Sequence, residues 1–209
     1  MKKMIFGLLS LLLLAGLGFR IWYVNKDIDL PPVHTFKMGE EIALGENIFL
    51  DDFENMDGYT VTVNNAEILS YEEFLLKYQF EEDEESPLFD KDSLTYPEMV
   101  YDLHLTVKNT NITDDTNPDS GINFIHYKIF GTDFLLHTNG ILYSVANPEL
   151  ELSLEEGVRL RSESEMDFQL PFYFSPSSKF AAVKEKDIKN EDVYLVISYY
   201  PNEYRILIE

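Results

Sequence analysis

Four oxygen-bearing side chains, Asp114, Asp115, Asn117 and Asp119 of "TDDTNPDSG", form the first stretch of the chain whose residue types could do chemistry. Carboxylate and amide oxygens are the ligands that a hard cation such as calcium prefers. The same residues are also those of a loop, and two tight turns account for them without any metal. A second acidic stretch, Glu81, Glu82, Asp83, Glu84 and Glu85 with Asp90 and Asp92 beyond it, lacks the spaced ligands and sharp glycine turn of D-x-[DN]-x-[DN]-G, so it reads as a solvated charge run. Neither stretch implies a cofactor, and calcium at the first is the cation to test.

The four histidines, His34, His104, His126 and His137, share no ligand spacing and fall in different segments, which favours singly satisfied imidazoles over a zinc site. No G-x-S-x-G elbow, phosphate loop, dinucleotide fingerprint or H-E-x-x-H pair occurs. With 38 acids in the chain, any two carboxylates that fall together are uninformative about glycoside hydrolysis. The chain is therefore expected not to be an enzyme, and no catalytic or cofactor-binding residue is assigned. Asn111, Ile112 and Thr113 match a glycosylation acceptor, a three-residue pattern common by chance. Tyr194, Tyr199, Tyr200 and Tyr204 near the carboxyl end suit cross-strand packing better than a binding face.

Charge narrows the partners. Lys2, Lys3 and Arg20 lie in the first 24 positions, which hold no acid, so the remainder carries 13 basic against 38 acidic groups, a net of −25. Such a surface repels nucleic acid and anionic headgroups, and it suits cations and basic partners. A nucleic-acid role is excluded. The 15 Phe and 13 Tyr residues supply a core, so the acidity does not signal disorder over the whole length. Cysteine is absent, which removes disulfides, a thiol nucleophile, thiolate metal sites and a lipid-modified cysteine.

Elements must position whatever site exists. Met4 to Val24 is 21 residues with Arg20 as its one charge, and at about 1.5 Å per residue it covers roughly 30 Å, a bilayer's hydrocarbon thickness. Lys2 and Lys3 precede it, and Trp22 with Tyr23 stands where interfacial aromatics belong. The small-x-small cleavage pattern after Ala15 is poor, so the run is expected to stay as an uncleaved single anchor, amino end inside, rather than to be removed as an export signal. Residues 1–24 are thus the signal anchor, 25–37 an extended linker stiffened by Pro31 and Pro32, and 38–209 the extracellular domain.

Period-2 alternation dominates that domain. Tyr59, Val61 and Val63 share one face, as do Tyr101, Leu103, Leu105 and Val107, with Asp102, His104, Thr106 and Lys108 directed outward. Met166, Phe168, Leu170, Phe172 and Phe174 continue the pattern, with Pro171 implying an edge or a bulge. Shorter strands are expected over 124–130, 133–137 and 141–145, and "VYLVISYY" with "YRILIE" across Pro201 and Asn202 reads as a closing hairpin. Seven to nine strands predict an all-β, two-sheet sandwich. One inserted helix is expected at "SYEEFLLKY", where Ser70 and Glu73 have capping-box spacing, followed by an acidic loop with little reason to pack.

The ordered blocks "FKMGEEIALGENIF", "DGYTVTVNNAEILSYEEFLLKY", "PEMVYDLHLTVKNTN", "GINFIHYKIFGTDF" and "MDFQLPFYFSPSS" resemble an uncharacterised family of membrane-anchored exported proteins of Gram-positive bacteria, domain of unknown function family 5028. The more distant likeness is to immunoglobulin-like extracellular modules. The resemblance implies a β-sandwich outside the membrane and brings no activity with it. The expected function is a non-catalytic, membrane-anchored binding or accessory module of the cell envelope, with an unknown protein or envelope component as partner. The alternative is a small accessory or immunity-type protein whose anchor helix itself acts on a transporter or toxin target, its Gly7, Gly16 and Gly18 permitting close helix approach.

Overall fold

The structure is a computed structural model that describes residues 2–26, 30–46, 55–93, 95–113, 121–150, 154, 157–179 and 182–208. It divides into two units, Met1–Pro31 and Pro32–Glu209. The first holds helix α1 (Lys2–Asn25). From Leu11 onward its leucines and aromatics are exposed on every side, Phe19 lies 5.6 Å from the Trp22 ring, and the Lys26 ammonium stands 4.8 Å over Tyr23. Among the described residues no helix is long and apolar enough to cross a membrane, so the span expected at residues 4–24 stays an expectation of the sequence pattern alone.

Among the described residues the second unit contains nine strands: β1 (Val33–Lys37), β2 (Ile42–Glu46), β3 (Asn55–Ser70), β4 (Met99–Asn109), β5 (Lys128–Phe130), β6 (Leu135–Thr138), β7 (Ser164–Phe174), β8 (Val193–Ser198) and β9 (Glu203–Ile208). Three short helices join them: α2 (Tyr71–Lys77), α3 (Gly140–Ala146) and α4 (Glu185–Lys189). Alternation placed the core. Tyr59, Val61, Val63, Leu103, Leu105, Val107, Phe168, Leu170 and Phe172 are all buried in one cluster. In β3 a bulge between Val63 and Asn65 shifts the register, so that Ala66 and Ile68 return to the same inner side.

All nine strands belong to one hydrogen-bonded order, β1-β9-β8-β5-β6-β7-β4-β3-β2. The same core takes Leu103 and Phe168 from one half and Leu195 and Ile206 from the other, so the two halves face each other. The expected two layers are therefore present as halves of one continuous sheet. The seam is narrow: β6 pairs with β7 only through His137↔Tyr173 and Thr138↔Phe172. The far edges are drawn together too, because β1 and β2 stand at opposite ends of the order yet are joined by residues 38–41 alone. Five Cα steps reach at most about 18 Å, and Gly39 N–H donates to Val63 O across that link at 2.8 Å.

Four expectations change. Residues 33–37, read as linker, form β1, which pairs in parallel with β9 from Val33↔Glu203 to Lys37↔Leu207. The expected strands over 124–130 and 133–137 shrink to β5 and β6. The run 141–145 lies in helix α3, not a strand, because Asn139 caps it by accepting from Ile141 and Leu142 N–H, and Leu142, Val145 and Ala146 have helical spacing. Among the described residues three helices therefore accompany the strands where one was expected.

Pro171 lies in β7 between two paired strands, but at a local gap. The Gln169 N–H donates to Asn147 Oδ1 at 2.9 Å, and the Asn147 amide donates to Gln169 O at 2.8 Å, replacing the strand where β6 has ended. Backbone nitrogens two residues apart face the same side of a strand, so the donor that Pro171 lacks would have pointed into that interruption.

Candidate functional site between the outer helices

Helices α2 and α3 cover the outer face of β4 and β7. Helix α2 begins where the sequence said it would: Glu73 N–H donates to Ser70 Oγ at 3.2 Å and Ser70 N–H to Glu73 Oε2 at 2.8 Å. Hydrogen bonding to the Ser70 backbone and then to the Ser70 side chain holds the Glu73 carboxyl below its ordinary range. Tyr71, Phe74 and Leu75 of α2 meet Leu142, Val145 and Ala146 of α3 over Val100, a second apolar cluster distinct from the main core.

Beneath α2 is a charged side chain that strand alternation placed in solvent. Asp102 is 1 % exposed. Its Oδ2 accepts from Lys77 Nζ at 2.7 Å and from the Tyr78 hydroxyl at 2.5 Å, and Lys77 also binds Glu67 on β3. Burial raises the Asp102 pKa against the pull of these two donors. Burial opposes charge on Lys77, yet its hydrogen bonds to Asp102 and Glu67 outweigh that and hold its pKa above the ordinary lysine value. Burial, then the Asp102 charge, push the Tyr78 hydroxyl far up, so it stays a donor. Asp102 Oδ1 and Gln169 Oε1, on the same sheet face, are buried acceptors without a partner.

The end of α2 is shaped by an unusual residue. Phe80 N–H donates to Leu75 O and Gln79 N–H to Leu76 O, the pair of bonds that closes a helix through a left-handed residue. That residue is Gln79 at φ 54°, where glycine is the common occupant. Past it the acidic loop turns back and packs, contrary to expectation: Glu82 accepts from the Tyr71 hydroxyl at 2.9 Å and from Leu88 N–H at 2.7 Å, and the Phe89 ring stands edge-on to Tyr71 at 5.8 Å. An open groove of about 460 Å³ results, with Tyr78, Phe80 and Leu88 on one side and Ile141, Val145 and Pro148 on the other.

The residues singled out from the sequence do not converge there. Asp114, Asp115, Asn117 and Asp119 lie outside the described residues. Among the described residues no group of three His, Asp or Glu is placed to hold a metal ion. The histidines occupy separate elements: His34 on β1 near Asn202, His104 on β4 3.6 Å from Asp167, His126 before β5, and His137 on β6, where burial and then Lys128 lower its pKa. Asn111 donates to Asp57 O, and its side chain fills the space that a Cβ at Gly58 (φ 81°) would need. Tyr204 stacks edge-on to Phe36, Tyr199 donates to His126 O, and Arg205 covers the Tyr194 ring at 4.4 Å, all within sheet packing.

A mostly β domain of two facing layers, with a small helical cap over one outer face, is the class of protein these observations define. The chain belongs to the family described as Domain of unknown function (DUF5028), whose sequence profile matches residues 33–204. That match begins at the first residue of β1. No curated protein matches the chain. Among solved structures it is similar to an uncharacterized beta-sandwich protein from Clostridium difficile 630, at 12 % identity, a TM-score of 0.40, and coverage of 88 % of this chain and 99 % of that one.

Proposed function

We propose that the chain is a non-catalytic binding or accessory module of the bacterial cell envelope, held by residues 4–24 with its amino end inside and its β domain outside. The observation that carries the binding role is the apolar groove between α2 and α3. Phe80 and Ile141 are exposed in its lining, and accessible apolar surface beside charged residues is characteristic of interaction sites. For the anchor, the support is the 21-residue apolar run with lysines before it and an aromatic pair at its outer end.

The immunoglobulin-like likeness has support in strand order. One layer runs β6-β5-β8-β9 and the other β3-β4-β7. Taking β3 as A, β4 as B and β5 to β9 as C, C′, E, F and G reproduces the C′CFG and ABE neighbours of that sandwich. Such modules present surfaces and loops on a rigid frame.

Fractionation tests the tether. Full-length chain in carbonate-washed membranes is the expected result, and recovery of a shortened chain in the medium would refute it.

A further inference from the structure

We propose that the α2–α3 groove is the docking site for a basic amphipathic peptide segment of a partner protein, an inference that rests on the binding role proposed above. Two independent features choose this occupant. The floor is apolar: Tyr78, Phe80 and Leu88 face Ile141, Val145 and Pro148 around about 460 Å³, room for the spaced apolar anchors of an amphipathic segment. Its lips are the segments that run on from the lining, and both begin with an exposed acid: Glu81 follows Phe80 directly and Glu149 follows Pro148 directly, with Glu84 and Glu85 exposed further along the same loop as Glu81.

Charge then separates the classes of ligand. An anionic membrane surface is repelled by these lips, and so is an acidic peptide. A cationic segment is attracted while its apolar side chains enter the groove. Lys77, whose ammonium stands 5.1 Å from the Tyr78 ring, does not cancel the lips, since it is committed to Asp102 and Glu67. Glu82 is likewise held inward by Tyr71 and Leu88, which fixes the acidic loop beside the groove before any partner arrives. Gln79, in its left-handed conformation on the groove wall, sets the turn that brings Phe80 to the mouth.

The test uses the full chain in phosphatidylcholine nanodiscs, with empty nanodiscs as the blank, and two labelled helical peptides of leucine with lysine or leucine with glutamate at the polar positions. Fluorescence anisotropy is expected to detect the lysine peptide and not the glutamate one. Ile141→Ser and Phe80→Ser, at exposed positions, are expected to weaken binding about tenfold or more. Glu81→Gln with Glu149→Gln is expected to weaken it about threefold and to flatten its salt dependence. Amide exchange should slow at residues 78–88 and 140–148 when the lysine peptide is added.

Equal binding of both peptides, no binding of either, or lysine-peptide binding that survives Ile141→Ser would overturn the proposal. Failure of the tether is read separately: a chain that stays outside the nanodiscs refutes the anchor, and the same peptide titration then runs on the free chain. Failure of the groove alone leaves the chain in the discs with the lysine peptide unbound or bound elsewhere.

Discussion

Lys77 Nζ lies 2.7 Å from Asp102 Oδ2, joining the last turn of α2 to the middle of β4 through a carboxylate whose side chain is 0 % exposed. One outward position of a strand is thereby turned into the fastening of the helical cap. A buried ion pair is weak evidence for stability, because desolvation offsets much of the attraction; removing one partner is nevertheless costly. Lys77→Ala should therefore destabilise the domain by about 3 kcal/mol, and Lys77→Ala with Asp102→Asn by clearly less, since no unpaired charge then stays buried. Urea unfolding of the four proteins of this cycle measures it. Equal losses in the single and double variants would contradict the role of the pair.

The same carboxylate sets a pH dependence. Its folded pKa is raised by burial, so the folded state takes up a proton before the unfolded chain does as pH falls. Stability from this group is full below the unfolded value near 3.8 and is lost as pH rises through the raised folded value. The difference in unfolding free energy between the native chain and Asp102→Asn should shift in the native chain's favour as pH is lowered from 7 toward 4. The shift would have the opposite sign if Lys77 instead held the carboxyl below its ordinary range.

Gln79 at φ 54° bears a conformational cost that glycine avoids. Gln79→Gly should raise stability by up to about 1 kcal/mol while removing side-chain surface from the groove wall. Thermal unfolding checks the first effect, and the lysine-peptide titration checks the second.

Asn147 stands in for a strand residue by donating to Gln169 O and accepting from Gln169 N–H. Asn147→Ala leaves both groups of a central strand without a partner. A loss of about 2 kcal/mol is expected, with faster amide exchange at Gln169 than elsewhere in β7.

Sequence alternation made the inner layer faces legible because each strand buries one side only: Val61, Val63, Leu103, Leu105, Phe168 and Phe172 all lie where period 2 put them. The capping box at Ser70 and Glu73 was legible for a local reason as well, since both partners lie within one turn. Asp102 was not, because its burial comes from α2, and nothing in β4 encodes what lies above it. The α3 segment was misread since seven residues with Ile141 and Val145 show too little of the helical period to outweigh their β-branching. Strand β1 escaped for a different reason: it is an edge strand, exposed at four of five positions, so no apolar alternation marks it. The groove could not be read at all, being the product of two helices 63 residues apart that the tertiary fold brings together.

The absence of cysteine allows one direct test of the central claim, that a membrane-held chain presents its β domain outside the cell. Ile112→Cys, at a site 79 % exposed, and Lys3→Cys at the amino end each introduce a single thiol for a membrane-impermeant maleimide. On intact cells the account predicts labelling of the first in a chain that stays with carbonate-washed membranes, and labelling of the second only after lysis. Labelling of Ile112→Cys only after lysis, or of a chain that washes off the membrane, would contradict it.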